Sequence, residues 1–367
     1  MLSRPVDFME CALSLAGLAL GYTSPNPAVG AAVVRDGVVV GLGYTQPPGC
    51  EHAEVMALQQ AGERARGATM YVTLEPCCHK GRMPPCTKAI IGAGISEVYV
   101  ALVDPNPLVA GKGLKRLEEA GVKTFVYEDE RALEINEGYI KYITTGLPFV
   151  IAKFAMSLDG KIATYDGDSK WISSEESRKF VHNLRHIVDA VMVGANTVVI
   201  DDPQLSARGC RGRGGKTKLQ PLRVIVDGNG RTPLYARVFK EPGKTLVAVA
   251  EPFDKKKSDG FKRAGAELVE LKADGGLIDL AELLGLLGKR HVTSILVEGG
   301  NKLFGSLFDR GLVDKVLAFI SPIIIGGERA MSAVGGNGAH TVAESLRLKR
   351  VKVSGFGDDV LISGYLR

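Results

Sequence analysis

The sequence predicts an α/β protein of two domains, and three observations carry that expectation. At 367 residues the chain is longer than one hydrophobic core usually grows, domains of roughly 100 to 200 residues being the common size. Short apolar runs rich in Val and Ile alternate with amphipathic segments along the chain, the pattern of layered sheets and helices. A turn-rich stretch, Thr144-Thr-Gly-Leu-Pro148, then interrupts the alternation just before the apolar run Phe149-Val-Ile-Ala-Lys-Phe-Ala155, which puts the boundary between domains 1–146 and 147–367.

The elements follow from periodicity. Residues 6–20 read as a helix, and 28–34 and 38–41 as strands joined by Asp36-Gly37, a dipeptide suited to a hairpin turn. A second helix covers 51–64. Strands follow at 69–74, 97–103 and 123–127, with helices at 87–93 and 112–120, and a helix at 129–143 closes the domain. The second half alternates again, with strands at 149–155, 188–194, 222–227, 245–250 and 293–297 and helices at 174–186, 277–288 and 301–310. Strands at 315–321, 348–354 and 359–366 complete its sheet.

Composition narrows the function class. With 45% hydrophobic and 24% charged residues the chain is neither disordered nor fibrous. Asp7 and Glu10 stand where a signal peptide would begin its apolar run, and the apolar stretch 11–20 is well short of the roughly 20 residues that cross a bilayer, so a cytoplasmic protein without a membrane partner is expected. Six cysteines, three of them at 77, 78 and 86, are too few for a disulfide scaffold and their clustering points to metal. Residues 1–146 hold 13 Lys and Arg against 16 Asp and Glu, whereas the remainder holds 33 against 25. That excess suits a phosphate-bearing ligand or a solvated basic face; nucleic acid calls for a denser patch.

The strongest motif is His52-Ala-Glu54 followed by Pro76-Cys77 and, nine positions on, Cys86. Zinc deaminases hold Zn²⁺ with one His and two Cys and use a Glu two residues after the His as proton shuttle. Thiolate and imidazole suit zinc, and three protein ligands leave a fourth position for an acidified water. Glu54 is then the candidate that takes the water's proton and protonates the leaving amino group. A closed structural site completed by Cys78, His79 or Cys50 is the alternative. Cys11 and Cys210 read as ordinary apolar or loop residues.

Eight residues separate Cys77 from Cys86, where the generic deaminase signature has two. The run Glu75-Pro-Cys-Cys-His-Lys-Gly-Arg-Met-Pro-Pro-Cys86 resembles the deaminase half of the riboflavin-biosynthesis enzymes called RibD. So do Thr23-Ser-Pro-Asn-Pro-Ala-Val-Gly30, His52-Ala-Glu-Val-Met-Ala-Leu58 and Asp104-Pro-Asn-Pro-Leu-Val-Ala-Gly-Lys-Gly113. The resemblance implies a cytidine-deaminase-like α/β/α domain, and contacts from Asn26, Arg82 and Asn106 to a phosphorylated pyrimidine. Asn26 and Asn106 each precede a proline and equally well set turns. Cys78, Tyr44 and Met83 stand where the family usually has Ser, His and Thr.

No G-x-G-x-x-G follows a strand in the second half, so a Rossmann reductase is not indicated. Three strand-end motifs stand out instead: Phe154-Ala-Met-Ser-Leu-Asp-Gly-Lys-Ile-Ala163, Val193-Gly-Ala-Asn-Thr-Val-Val-Ile-Asp-Asp-Pro203 and Val297-Glu-Gly-Gly-Asn301. Ligands of open α/β sheets sit at such ends, and Gly299-Gly300 lets a phosphate approach the backbone of the following helix. With Asp168-Ser-Lys-Trp-Ile-Ser173 and Pro221-Leu-Arg-Val-Ile-Val-Asp227, the set resembles the reductase half of RibD, whose fold is similar to dihydrofolate reductase. The resemblance implies NADPH bound by Ala155, Trp171, Thr197, Asp201 and the segment Gly300, Asn301, Lys302, Leu303, Phe304, Gly305 and Ser306. It also implies substrate bound by Ser169, Arg185, Leu205, Arg208 and Glu298, and a homo-oligomer. Trp171 reads alternatively as a core aromatic and Arg185 as a solvated helix charge. Asp201 and Glu298 are the carboxylates expected to handle protons.

The resemblance implies hydrolytic deamination of 2,5-diamino-6-(5-phosphoribosylamino)pyrimidin-4(3H)-one, then NADPH-dependent reduction of the ribosyl group. The residues themselves support a zinc-activated water with a carboxylate proton shuttle, fused to an α/β domain with glycine-rich strand-end loops. The competing expectations are a deaminase of free nucleosides, bases or tRNA fused to an unrelated module, and a zinc-binding scaffold without chemistry.

Overall fold

A computed structural model describes residues 5–79, 84–208, 220–274 and 277–366. The chain folds as two compact units, Met1–Gly146 and Leu147–Arg367. Among the described residues no helix is long and apolar enough to cross a membrane.

The first unit runs α1 (Pro5–Ala19), β1 (Gly30–Arg35), β2 (Val38–Tyr44), α2 (Ala53–Ala61), β3 (Thr69–Val72), α3 (Cys86–Ala93), β4 (Glu97–Val100), α4 (Lys112–Glu119), β5 (Lys123–Val126), α5 (Glu130–Ile135) and α6 (Glu137–Thr145). Its sheet has the order β2-β1-β3-β4-β5, antiparallel around β1 and parallel from β3 to β5. Asp36 and Gly37 both take positive φ, 50° and 74°, the backbone a two-residue hairpin turn needs. Helices cover both faces. Ala53, Ala57 and Ile90 of α2 and α3, with Leu117 of α4, bury one face, and Phe8, Met9 and Ala12 of α1 with Ala132 of α5 bury the other.

Close approach of α2 to the sheet requires two glycines. A Cβ on Gly43 would fall 2.1 Å from the carbonyl oxygen of Ala53, and one on Gly41 2.1 Å from that of Ala57. These contacts lay α2 directly on β2 and thereby fix where its first turn, with His52 and Glu54, emerges.

Two expectations change here. The helix read at 129–143 is broken at Asn136, whose buried side chain binds the backbone of Ala28: Ala28 N donates to Oδ1 at 2.8 Å and Nδ2 donates to Ala28 O at 3.1 Å. That use of Ala28 also explains why β1 starts at Gly30 rather than 28.

The second unit comprises β6 (Phe149–Ser157), β7 (Lys161–Ala163), α7 (Glu175–Ile187), β8 (Ala190–Gly194), α8 (Ala195–Asp201), β9 (Leu222–Val226), β10 (Thr245–Ala250), α9 (Lys255–Arg263), β11 (Glu267–Leu271), β12 (Ala273–Asp274), β13 (Leu277–Ile278), α10 (Leu280–Lys289), β14 (Ser294–Gly299), α11 (Asn301–Asp309), β15 (Lys315–Ser321), β16 (Met331–Ser332), β17 (Lys349–Phe356) and β18 (Asp359–Tyr365). Nine strands form one sheet in the order β11-β10-β9-β8-β14-β6-β15-β18-β17. It is parallel from β11 to β15 and ends in an antiparallel hairpin. Parallel pairing brings the C-terminal ends of β6, β8, β9 and β14 to one edge, where the strand-end motifs meet.

The structure departs in this unit from the sequence reading, which did not anticipate α8 or the short strands β7, β12, β13 and β16. The helix expected from 277 starts at Leu280, because Leu277–Ile278 pairs with Ala273–Asp274 and Asp279 then caps the helix by accepting from Ala281 N and Glu282 N. The helix Lys255–Arg263 and the strand Glu267–Leu271 were not anticipated. A helix of sequence KKKSDGFKR buries chiefly one large apolar side chain, Phe261, and gives little periodic signal.

Candidate active sites

In the first unit, His52 is the extended residue that precedes α2, and Cys86 is the first residue of α3, so two helix starts face one point. Cys77 reaches the same point from the loop after β3. His52 Nδ1 lies 3.2 Å from Cys86 Sγ and 3.8 Å from Cys77 Sγ, and the three ligand atoms fall within 4.8 Å of one another. Tetrahedral zinc with ordinary bond lengths would separate a nitrogen and a sulfur ligand by about 3.6 Å. The donor set and its spacing therefore fit the metal.

Among the described residues no further His, Cys, Asp or Glu joins this cluster. Cys78 turns away, its Sγ 3.8 Å from Leu108 O, and so does not complete a closed site.

Electrostatics separate the three acidic groups. Burial, reinforced by Cys77, pushes the Glu54 carboxyl up to about 7, and Cys86 hydrogen-bonds to it. A hydrogen bond from Cys86 draws the Cys77 thiol down to about 4, while that same bond and burial push Cys86 up. A carboxyl buried beside the cluster and balanced near neutrality can both accept and return a proton.

The sequence reading gave no role to Glu75, yet it organises the loop and helix start beside this site. Its carboxylate accepts from the backbone N–H groups of Asp104 (3.2 Å), Gly111 (2.9 Å), Gly113 (2.8 Å) and Leu114 (3.2 Å). Asp104 in turn accepts from Tyr139 Oη at 3.1 Å, and burial raises its carboxyl to about 6. The segment that carries Asn106 is thus pinned two residues from a metal-ligand candidate. Glu75→Gln would present an amide to backbone donors; we expect a loss of about 1–3 kcal/mol of stability, read from thermal unfolding, with zinc content retained.

Asn106 spends Oδ1 on Leu108 N at 3.0 Å, so it does shape a turn, and Asn26 lies in the turn closed by its N–H on Thr23 O at 2.8 Å. Arg82, Met83 and Cys210 lie outside the described residues.

The second unit holds a cleft of about 1030 Å³ at the C-terminal strand edge. Of the residues assigned from sequence, Ala155, Ser169, Trp171, Arg185, Thr197, Asp201, Leu205, Arg208, Glu298, Gly300, Asn301, Lys302, Leu303, Phe304 and Ser306 all line it. Gly305 does not. A Cβ there would lie 2.3 Å from Gly336 N, so its smallness serves the approach of α11 to a neighbouring loop.

Trp171 is 71% exposed, which removes the core-aromatic reading, and the guanidinium of Arg178 stands 4.5 Å from its ring centre. Arg185 is no solvated charge: its Nε and Nη2 donate to Glu298 at 2.5 and 2.8 Å, and its Nη1 donates to Ser206 O at 3.2 Å. Burial favours a neutral Glu298, but Arg185 and Lys153 outweigh it and hold the carboxyl below its ordinary value. Glu298 is therefore held as the charged partner of Arg185. Ser169 Oγ donates to Asp201 Oδ1 at 3.0 Å.

Sequence reasoning missed Lys153, which sits in β6 amid Val150, Ile151, Ala152 and Phe154 and lines the cleft. Burial lowers its ammonium's pKa, opposed by Glu298. The signal was present as the one charge in an apolar strand. Gly300 has φ 94° and precedes α11, leaving backbone N–H groups open to a phosphate, so the cleft fits a dinucleotide in size and lining.

Comparison with known proteins agrees in both halves. The family described as cytidine and deoxycytidylate deaminase zinc-binding region matches residues 3–102, and the RibD C-terminal domain matches residues 148–362. The riboflavin biosynthesis protein RibD of Aquifex aeolicus is 44% identical over 363 residues, covering 98% of each chain.

This chain belongs to the RibD family.

RibD of Escherichia coli is 37% identical over 97% of each chain. Among solved structures, RibD of Acinetobacter baumannii superposes with a TM-score of 0.87 at 37% identity over 98% of each chain. A Thermotoga maritima protein described as a diaminohydroxyphosphoribosylaminopyrimidine deaminase/5-amino-6-(5-phosphoribosylamino)uracil reductase superposes with a TM-score of 0.84 at 35% identity, again over 98% of each. The two-part α/β architecture, a cytidine-deaminase-like unit followed by a RibD reductase unit, is thus that of the whole family, in its domain order. Neither an unrelated second module nor a scaffold agrees with it.

Proposed function

We propose that the first unit hydrolyses the amino group of 2,5-diamino-6-(5-phosphoribosylamino)pyrimidin-4(3H)-one. The second then reduces 5-amino-6-(5-phosphoribosylamino)uracil to its ribitylamino product with NADPH. The observation that carries the reading is the convergence of His52, Cys77 and Cys86 beside a buried carboxyl, Glu54, in a chain with a separate dinucleotide-sized cleft.

His52 Nδ1 and the sulfurs of Cys77 and Cys86 would hold zinc, which supplies an acidified water when bound. Glu54 takes the proton that the attacking water gives up and returns it to the departing amino group, so water enters and ammonia leaves. The 104–113 segment, pinned by Glu75, positions the pyrimidine, with Asn26, Arg82 and Asn106 as its contacts.

NADPH held in the cleft would supply a hydride when bound. Ala155, Trp171, Thr197, Asp201 and the 300–306 segment would seat it, Gly305 by packing alone. Ser169, Arg185, Leu205, Arg208 and Glu298 would seat the phosphoribosyl substrate. Opening of the ribosyl ring leaves an oxygen that needs a proton, and Lys153, buried with a lowered pKa, is better suited to give it than the ion-paired Glu298.

We also read the chain as a cytoplasmic homo-oligomer. Edge strand β17 exposes Val351 and Val353, a face that a second copy could cover; light scattering would give a multiple of the 39.1 kDa chain mass.

Metal analysis and an anaerobic assay following ammonia release and NADPH oxidation in one sample test the reading. About one zinc per chain is expected from a three-ligand site of this kind. A chelator should stop ammonia release while NADPH oxidation continues on added 5-amino-6-(5-phosphoribosylamino)uracil. Loss of both signals together would contradict the assignment of one reaction to each unit.

A further inference from the structure

Helix α7 turns one face to the cleft. Ser174 caps it, its Oγ accepting from Ser177 N at 3.2 Å, and Asp359 holds that start by accepting from Ser174 N at 2.7 Å and Ser177 Oγ at 2.6 Å. From there Arg178, His182 and Arg185 follow at i, i+4 and i+7, one stripe of the helix, and all three line the cleft. Arg178 is occupied by Trp171 and the Ser173 carbonyl, and Arg185 by Glu298. His182 is the member of the stripe left open.

The Ser206 carbonyl lies close enough to the His182 ring to favour the charged form, but Nδ1 is buried and has no partner among the described residues. A buried polar atom without a partner is costly and calls for an explanation, often a ligand that supplies the missing contact.

The surroundings say which ligand. His182 faces Arg185 on its own helix, Arg208 from the segment after α8, and Glu298 from β14. Arg185 and Glu298 neutralise one another in their bidentate pair. Arg208 forms no ion pair among the described residues, and its Nε has only a long contact of 3.4 Å to Ser206 Oγ. Beside His182, then, positive charge is left over, and burial together with both guanidiniums holds the imidazole neutral until something negative arrives.

We propose that His182 is a substrate-binding residue of the second site, its Nδ1 donating to the phosphate of the phosphoribosyl ligand beside Arg208. The proposal rests on the reductase reading of the cleft. A phosphate beside the neutral ring favours its charged form, so binding takes up a proton at His182. That contact would discriminate a 5-phosphoribosyl ligand from its dephosphorylated counterpart.

The test compares the full chain with its His182→Asn and His182→Gln variants. Reductase kinetics are measured on the phosphorylated aminouracil and on the same compound without phosphate. In the variants KM for the phosphorylated substrate should rise roughly tenfold or more, the cost of a hydrogen bond to a charged group. KM without phosphate, KM for NADPH, kcat and ammonia release should stay within about twofold of the parent chain, an allowance well inside the tenfold step per 1.4 kcal/mol.

An unchanged KM for the phosphorylated substrate in both variants would overturn the proposal, and so would an equal rise with both substrates. Calorimetry with ribose 5-phosphate at pH 7.5, in two buffers of different ionisation heat, decides the point without turnover. The parent chain should take up protons on binding and the variants should not; equal uptake in all would sink the assignment. If the parent chain bound ribose 5-phosphate with proton uptake but never oxidised NADPH, the reductase reading would fail while His182 stood as a phosphate ligand.

Discussion

Glu54→Gln should abolish ammonia release while zinc content, fold and NADPH oxidation on supplied aminouracil stay as in the parent chain. The substitution keeps the size of the side chain and leaves His52, Cys77 and Cys86 untouched. Its position at the first turn of α2 is set by the contact of that helix with Gly41 and Gly43, which the change does not disturb. What it removes is a carboxyl that burial has raised to about 7, able to accept a proton and to give one back within a turnover. Positioned acid–base groups contribute about 10²–10⁴-fold, and here one group serves both halves of the exchange, so the loss should lie at the upper end of that range. Ammonia release above a tenth of the parent rate would show that another group moves the proton. Lost zinc would show instead that Glu54 supports the ligand cluster.

How much of this was legible in the sequence depended on how local each interaction is. His52, Glu54, Cys77 and Cys86 announce themselves because metal chemistry tolerates few residue types and the helix starts carry them at short spacing. Glu75 stood in the same motif and said nothing, since its partners are backbone N–H groups 29 to 39 residues away, and backbone has no residue identity to read. Lys153 stood out as the one charge in an apolar strand, but its place in the cleft, like that of His182 on the cleft-facing stripe of its helix, is visible only when the sheet edge is assembled.

The fold shows the same division. Buried parallel strands such as Val191-Met-Val193 and Val224-Ile-Val226 read clearly, because both faces are covered and apolar residues run continuously. Asn136 broke an expected helix through a contact with Ala28, 108 residues away, which no periodicity within 129–143 could reveal.

The second large effect concerns Arg185 and Glu298, and a cycle of variants separates their structural role from their chemical one. Their side chains are only 12% and 7% exposed, and the two bonds between them are bidentate. Arg185→Met leaves a buried carboxylate without its partner, a change that costs about 3–5 kcal/mol. For a unit of this size that corresponds to a drop in melting temperature of roughly 6–20 °C. Glu298→Met should be similarly damaging, since it strands a guanidinium beside Lys153 and His182. The double Met variant removes both charges, and replacing a buried pair by apolar side chains of similar volume is often near neutral, so its melting temperature should return toward the parent value. NADPH oxidation should remain absent in all three proteins, because the groups proposed to orient the phosphoribosyl substrate are gone. Ammonia release, carried by the other unit, should persist in each. A double variant both stable and active would reduce the pair to a scaffold. Recovered stability without recovered reduction would instead assign the charges to the substrate, with their mutual neutralisation being what lets the protein keep them buried until it binds.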